Sequence, residues 1–187
     1  MTNIIKSTIN SIKPLDETYR KKLYAYHKTL LMPEDALSPI LSYVEKLAAI
    51  KRENPVHVLK KKVVVLFAAD HGVVAEGVSA YPQEVTRQML QSFANEWAVI
   101  TVLAKKERMD VLVVDTGVIG EPVLDNKIIN QKIRQGTNNF VNGPSMSEKE
   151  AIKAIEIGIK TAEDIAKKGY EIAVVGEMGI GNTTSCF

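Results

Sequence analysis

The sequence has little of what marks secreted, metal-clustered or membrane-embedded proteins. Its 187 residues include one cysteine, Cys186, so no intramolecular disulfide can form and no cysteine cluster can hold zinc. Such usage predicts an intracellular, reduced chain. Histidine occurs three times and tryptophan once. The longest apolar runs, such as Val63 to Ala69, fall far short of the ~20 residues that span a bilayer, which excludes a membrane partner of that kind. Met1 to Lys6 lack the basic start and apolar stretch of a secretory signal. Neither sign of charge dominates: 24 Lys and Arg face 22 Asp and Glu, which argues against nucleic acid as a partner. What remains is an ordinary globular composition, 45% hydrophobic and 25% charged. The length suits one domain of roughly 150 residues with an appendage.

Residues 1 to about 60 are expected to form an N-terminal helical segment. From Asp16 to Leu31, Tyr19, Leu23, Tyr26, Leu30 and Leu31 recur at three- and four-residue steps, predicting one helix that Pro33 stops. A second helix is predicted from Ser38 to Arg52, with Ile40, Leu41, Val44, Leu47 and Ala48 as its apolar stripe. Ser38-Pro39 reads as its N-cap and first-turn proline, and Asn54-Pro55 as its end.

Residues 61–187 alternate strand and helix. Val63 to Ala69, Val111 to Val114 and Ile172 to Val175 are unbroken β-prone runs, the pattern of strands buried on both faces of a parallel sheet. Helices are expected from about Pro82 to Glu107 and from Ser147 to Gly169, the latter opened by the capping box Ser147-Glu148-Lys149-Glu150. The implied fold class is α/β, built from βαβ units. Gly120 to Met146 reads as a long loop or small hairpin, with an extended patch near Lys127 to Ile133.

Each strand is followed by an acid and a glycine: Asp70-His71-Gly72, Asp115-Thr116-Gly117 and Glu177-Met178-Gly179. Ligands bind beyond the carboxyl ends of parallel strands, so these turns set three carboxylates along one rim. Asp and Gly are also good turn residues, which is the plainer explanation of any single turn. The third turn continues as Gly176-Glu177-Met178-Gly179-Ile180-Gly181-Asn182-Thr183-Thr184-Ser185. Glycines let several N–H groups point at one anion, and Thr and Ser add donors, so it resembles a phosphate cradle. It lacks the lysine of a P-loop, which argues against nucleoside triphosphate hydrolysis. Only six residues follow Gly181, too few for a supporting helix, so the expectation is the front part of a longer protein or a chain completed by another.

The first turn leads into a dozen small, polar and aromatic residues, ending at Tyr81-Pro82, that suit a ligand-binding loop. His71 is a candidate base or ligand, whereas His27 and His57 stand in no motif. Tyr81 and Met89 could contact a planar ring or could be ordinary loop and helix positions. Trp97 suits core or interface.

The stretches Ala69-Asp70-His71-Gly72-Val73, Gly77-Val78, Pro82-Gln83-Glu84-Val85-Thr86, Asp115-Thr116-Gly117-Val118, Gly136-Thr137-Asn138-Asn139, Gly143-Pro144-Ser145-Met146 and Gly176 to Thr184 closely resemble the nicotinate-nucleotide:dimethylbenzimidazole phosphoribosyltransferase family, from about residue 16 to the end. The resemblance implies a cytoplasmic homodimer with a Rossmann-like parallel sheet and a small helical domain. It also implies transfer of phosphoribose from nicotinate mononucleotide to a lower-ligand base, giving α-ribazole phosphate and nicotinate for cobalamin assembly. It places Glu177 as the active-site carboxylate. Gly176, Gly179, Gly181, Asn182 and Thr183 fall in the phosphoribosyl site, and Tyr81, Met89, Asp70 and His71 fall in the base pocket. No metal and no cofactor are implied.

Two departures stand out. Where the family usually carries Lys-Pro-Pro-Gly-Ser-Leu-Gly, this chain reads Lys28 to Leu37 as KTLLMPEDAL, which fits a paralogue accepting phenolic or purine bases. The family's general-base glutamate lies in a C-terminal half beyond residue 187, so this chain alone is expected to be inactive. Two alternatives are a non-catalytic nucleotide- or base-binding module and a metal-dependent hydrolase using Asp70, His71, Asp115 and Glu177.

Overall fold

Tight local turns, more than proline, set the helix ends in the N-terminal part of the computed structural model, which describes residues 2–33, 36–54 and 56–186. Helix α1 spans Asn3–Ser11, α2 Glu17–His27 and α3 Ser38–Lys51. Asp16 caps α2 by accepting from the Thr18 amide at 3.1 Å. The helix ends at His27, short of the expected Leu31. The Thr29 and Leu30 amides fold back onto the Tyr26 and His27 carbonyls, at 2.9 and 3.1 Å, and tighten the chain before Pro33 is reached. Leu30 and Leu31 fall beyond the helix and are exposed, Tyr26 within it is exposed as well, and Leu23 is the buried residue of α2. Leu37, left-handed at φ 60°, caps α3, so Ser38 and Pro39 lie inside its first turn. Ile40 is exposed and Ala48 and Ala49 are buried. Pro55 lies outside the described residues.

The described residues divide into two units, one within 7–59 and the other within 2–6 and 60–186. In the smaller one, the buried Glu45 carboxylate lies 3.4 Å from His27 Nδ1 and 3.9 Å from Arg20 Nε. A carboxylate taken from water needs such partners, so His27 is explained by packing.

The larger unit is a four-stranded parallel sheet, ordered β3-β2-β1-β4. Strand β1 (Lys62–Ala69) leads through a short 3-10 turn (Gly72–Glu76) to α4 (Glu84–Ala94) and α5 (Val99–Lys106), then to β2 (Asp110–Gly117). Strand β3 (Ile128–Asn130) precedes α6 (Glu148–Lys167), β4 (Ile172–Met178) and α7 (Asn182–Cys186). Alternate residues of β1 point to opposite faces. Val64, Leu66 and Ala68 pack with Leu90, Phe93 and Ala94 of α4, whereas Val63 and Val65 pack with Val114 and Ile157.

In this unit the structure both bears out and corrects the expectations. The helix expected from Pro82 to Glu107 is two helices, broken where Glu96 takes a left-handed φ of 60°. Lys127 Nζ holds that corner, donating to the Ala94 carbonyl at 3.0 Å and Glu96 at 2.9 Å. Trp97 there is 74% exposed, so it is not core. The patch at Lys127 to Ile133 contains strand β3, which runs parallel to β2 and forms no hairpin with it. Strand β4 is not buried on both faces: it pairs along β1 at the edge of the sheet, and Val175 is 70% exposed. The expected capping box of α6 is present, with Ser147 and Glu150 bonded reciprocally. Among the described residues no helix is long and apolar enough to cross a membrane.

Candidate functional site

The three acid-glycine turns meet at the carboxyl ends of β1, β2 and β4, but their carboxylates face different environments. Asp115, 1% exposed, accepts from the Gly117 and Val118 amides at 3.1 and 2.8 Å, and Lys132 Nζ stands 3.5 Å from its other oxygen. Asp70, 2% exposed, accepts from the Ile119 amide at 2.7 Å. Its backbone receives the Thr137 amide at 3.0 Å and donates to the Gly117 carbonyl at 3.1 Å. Burial pushes the Asp70 pKa above the ordinary carboxylate range, against the opposing pull of the Ile119 amide, the Thr86 hydroxyl and His71. These two acids therefore tie strand ends and loops together. Only Glu177, with a side chain 42% exposed, remains open to solvent on the rim.

Glu177 is held from two sides. His71 Nε2, on a largely buried ring, lies 3.4 Å from Oε1, and the Asn182 side-chain amide donates to Oε2. Asn182 in turn accepts from the Thr183 amide at 2.7 Å. Carboxylate, imidazole, carboxamide and hydroxyl thus form one polar patch, all of them residues expected from the sequence.

The glycines make this approach possible. A Cβ on Gly179 would sit 2.2 Å from the Ala69 carbonyl oxygen and 2.7 Å from the His71 ring, so only glycine lets the turn lie against β1. Gly181, at φ 83°, takes a left-handed conformation before α7. A helical turn does begin directly at Asn182, which corrects the expectation of a cradle without one. Gly176 is packed under Leu66, whose Cδ2 a Cβ would meet at 2.7 Å.

Tyr81 and Met89 are placed differently. Tyr81 is 66% exposed on the loop before α4, its amide donating to Ser79 Oγ at 3.1 Å. Met89 is partly buried against the core cluster and lies three residues after Thr86, on the same helical face. Thr86, which carries no ionisable group or turn signal, accepts from the Ile180 amide at 3.0 Å and so joins α4 to the glycine turn. Thr137 accepts from the Gly72 amide at 3.1 Å, and Asn139 donates to Glu76 at 2.5 Å. Both belong to a segment that composition marks only as loop. Among the described residues no group of three or more His, Cys, Asp or Glu side chains is arranged to hold a metal ion.

A phosphoribosyltransferase family model matches residues 12–187. Similar proteins include nicotinate-nucleotide–dimethylbenzimidazole phosphoribosyltransferases of Halalkalibacterium halodurans, 42% identical over 97% of this chain and 50% of that protein, and Desulforamulus reducens, 39% identical over 97% and 52%. The crystal structure of the enzyme of that name from Thermus thermophilus superposes with a TM-score of 0.87, at 38% identity, over 91% of this chain and 52% of that one. The chain thus spans about half the length of the curated relatives it matches. With the matched family model covering α2, α3, the sheet and the glycine turn, the chain belongs to this phosphoribosyltransferase family.

Proposed function

We propose that this stretch supplies the nucleotide-facing half of a site that moves phosphoribose from nicotinate mononucleotide to 5,6-dimethylbenzimidazole or a related lower-ligand base. The single observation that carries this is the exposed Glu177, held by His71 and Asn182 at the mouth of a glycine turn. Gly176, Gly179, Gly181, Asn182 and Thr183 receive the ribose phosphate, whose charge suits backbone amides of a tight turn. Tyr81 and Met89 border the planar base, with Asp70 and His71 beneath it.

In the transfer, the bond from C1′ to nicotinate breaks with its electron pair leaving on the nicotinate nitrogen. The ring nitrogen of the base that carries a lone pair forms the new bond to C1′, and the N–H proton of its other ring nitrogen goes to a carboxylate. Glu177 is the exposed carboxylate within these residues, and the resemblance places a further glutamate beyond residue 187. The products are α-ribazole phosphate and nicotinate, in the cytoplasm and in a homodimer.

The test is to add nicotinate mononucleotide to the 187-residue chain in a calorimeter, then dimethylbenzimidazole, with chromatography for α-ribazole phosphate. Saturable binding with little or no product is expected, because the chain covers half of its relatives. Absence of binding contradicts the site, and robust product contradicts the division of labour between the two halves.

A further inference from the structure

The peptide of Ile180 lies between two glycines, so no side-chain clash fixes its orientation. Yet Asn182, which binds the Glu177 carboxylate, follows only two residues later, and any rotation of this peptide moves it. The Asn182 amide closes the turn onto the Gly179 carbonyl at 3.0 Å, and a bond from outside the turn anchors the Ile180 peptide itself. The structure provides a completely buried hydroxyl, Thr86 Oγ1, which accepts the Ile180 amide at 3.0 Å from a position 94 residues earlier.

A threonine hydroxyl has one hydrogen, and accepting the amide leaves that hydrogen free to donate. Beside it stands the buried Asp70 carboxylate. One Asp70 oxygen is taken by the Ile119 amide at 2.7 Å, and the other, Oδ1, makes no hydrogen bond of ordinary geometry among the described residues. The Thr86 hydroxyl favours the charged form of this carboxylate, offsetting part of the cost of burial.

We propose that Thr86 is the positioning residue of the Glu177 turn, so that α4 sets the placement of Asn182 and the Glu177 carboxylate. Thr86 touches no reacting atom. Its effect passes through the Ile180 amide alone. The binding consequence rests on the nicotinate mononucleotide site proposed above; the consequence for the Ile180 amide does not.

The experiment compares Thr86→Val, which keeps the shape and removes the hydroxyl, with Thr86→Ser, which keeps the hydroxyl, in the 187-residue chain. Amide exchange by NMR and calorimetric binding of nicotinate mononucleotide are both recorded. In Thr86→Val the Ile180 amide is expected to exchange roughly tenfold faster, and affinity to fall about tenfold, as suits loss of one hydrogen bond. Amides of Val65 and Val114 in the sheet keep their wild-type rates, and Thr86→Ser restores both quantities. Unchanged Ile180 exchange in Thr86→Val, or failure of Thr86→Ser to restore it, overturns the proposal. A wild-type chain that binds no nicotinate mononucleotide counts against the proposed function only, and the exchange comparison still decides the role of Thr86.

Discussion

His71 and Glu177, 106 residues apart in the chain, face each other at 3.4 Å across the ends of β1 and β4. Parallel pairing of these strands in register from Lys62–Ile172 to Ala68–Met178 brings the two turns together. The contact joins a partly buried imidazole to an exposed carboxylate, and its value lies in orienting Glu177 for a ligand. His71→Ala and Glu177→Gln are each expected to weaken nicotinate mononucleotide binding. In the double variant the loss is smaller than the sum, because each single change already breaks the shared contact. A calorimetric cycle that comes out additive would separate the two residues.

Gly179 and Gly158 offer a matched pair. An added Cβ at Gly179 meets the Ala69 carbonyl and the His71 ring, whereas one at Gly158, inside α6, meets nothing within 4 Å. Gly179→Ala should cost ~1–3 kcal/mol by forcing the turn away from β1. Gly158→Ala should add ~0.5–1 kcal/mol by restricting the unfolded chain and favouring helix. Urea unfolding of the two variants checks both signs.

These two glycines also show how far sequence reaches. Glycine-rich spacing after a strand announces the turn at Gly176 to Gly181, and the apolar runs and the Ser147 cap announce β1, β2 and α6. The Thr86 tie is silent: Thr86 lies in the family-like stretch Pro82 to Thr86, yet nothing in that stretch announces a bond to Ile180 until the fold brings the two together. The three acids look equivalent in their turns. Only the fold separates Asp70 and Asp115, buried and bonded to loop amides, from the exposed Glu177. Strand β4 misleads for a related reason: Val174 and Val175 read as doubly buried, but burial depends on neighbours, and at the sheet edge they are exposed.

That exposure has a measurable consequence. Val175→Thr should change unfolding free energy by less than ~0.5 kcal/mol, as at other surface positions. Val65→Ala, in the centre of the sheet, should cost roughly 2–3 kcal/mol through lost burial and a cavity. Comparable costs for the two would mean that β4 is covered in solution.

Asp70 adds a pH dependence of known sign. Its folded pKa is raised by burial, so the folded chain binds more protons than the unfolded chain above the ordinary carboxylate value of 3.8. The contribution of Asp70 to stability is therefore present below that value and is lost as pH rises through the folded pKa. Asp70→Asn removes this loss while keeping an oxygen acceptor for the Ile119 amide. Relative to wild type, its melting temperature should improve as pH increases from about 3.5 upward. A difference independent of pH would show that Asp70 carries no shifted charge.

The central claim is that Glu177 and its glycine turn receive a nucleotide. The most direct measurement follows the amide resonances of the 187-residue chain by NMR as nicotinate mononucleotide is added. The predicted result is saturable shifts confined to residues 176–183 and His71, with sheet residues such as Val64 unmoved. Absence of shifts at those residues, or saturable shifts only elsewhere, would contradict it.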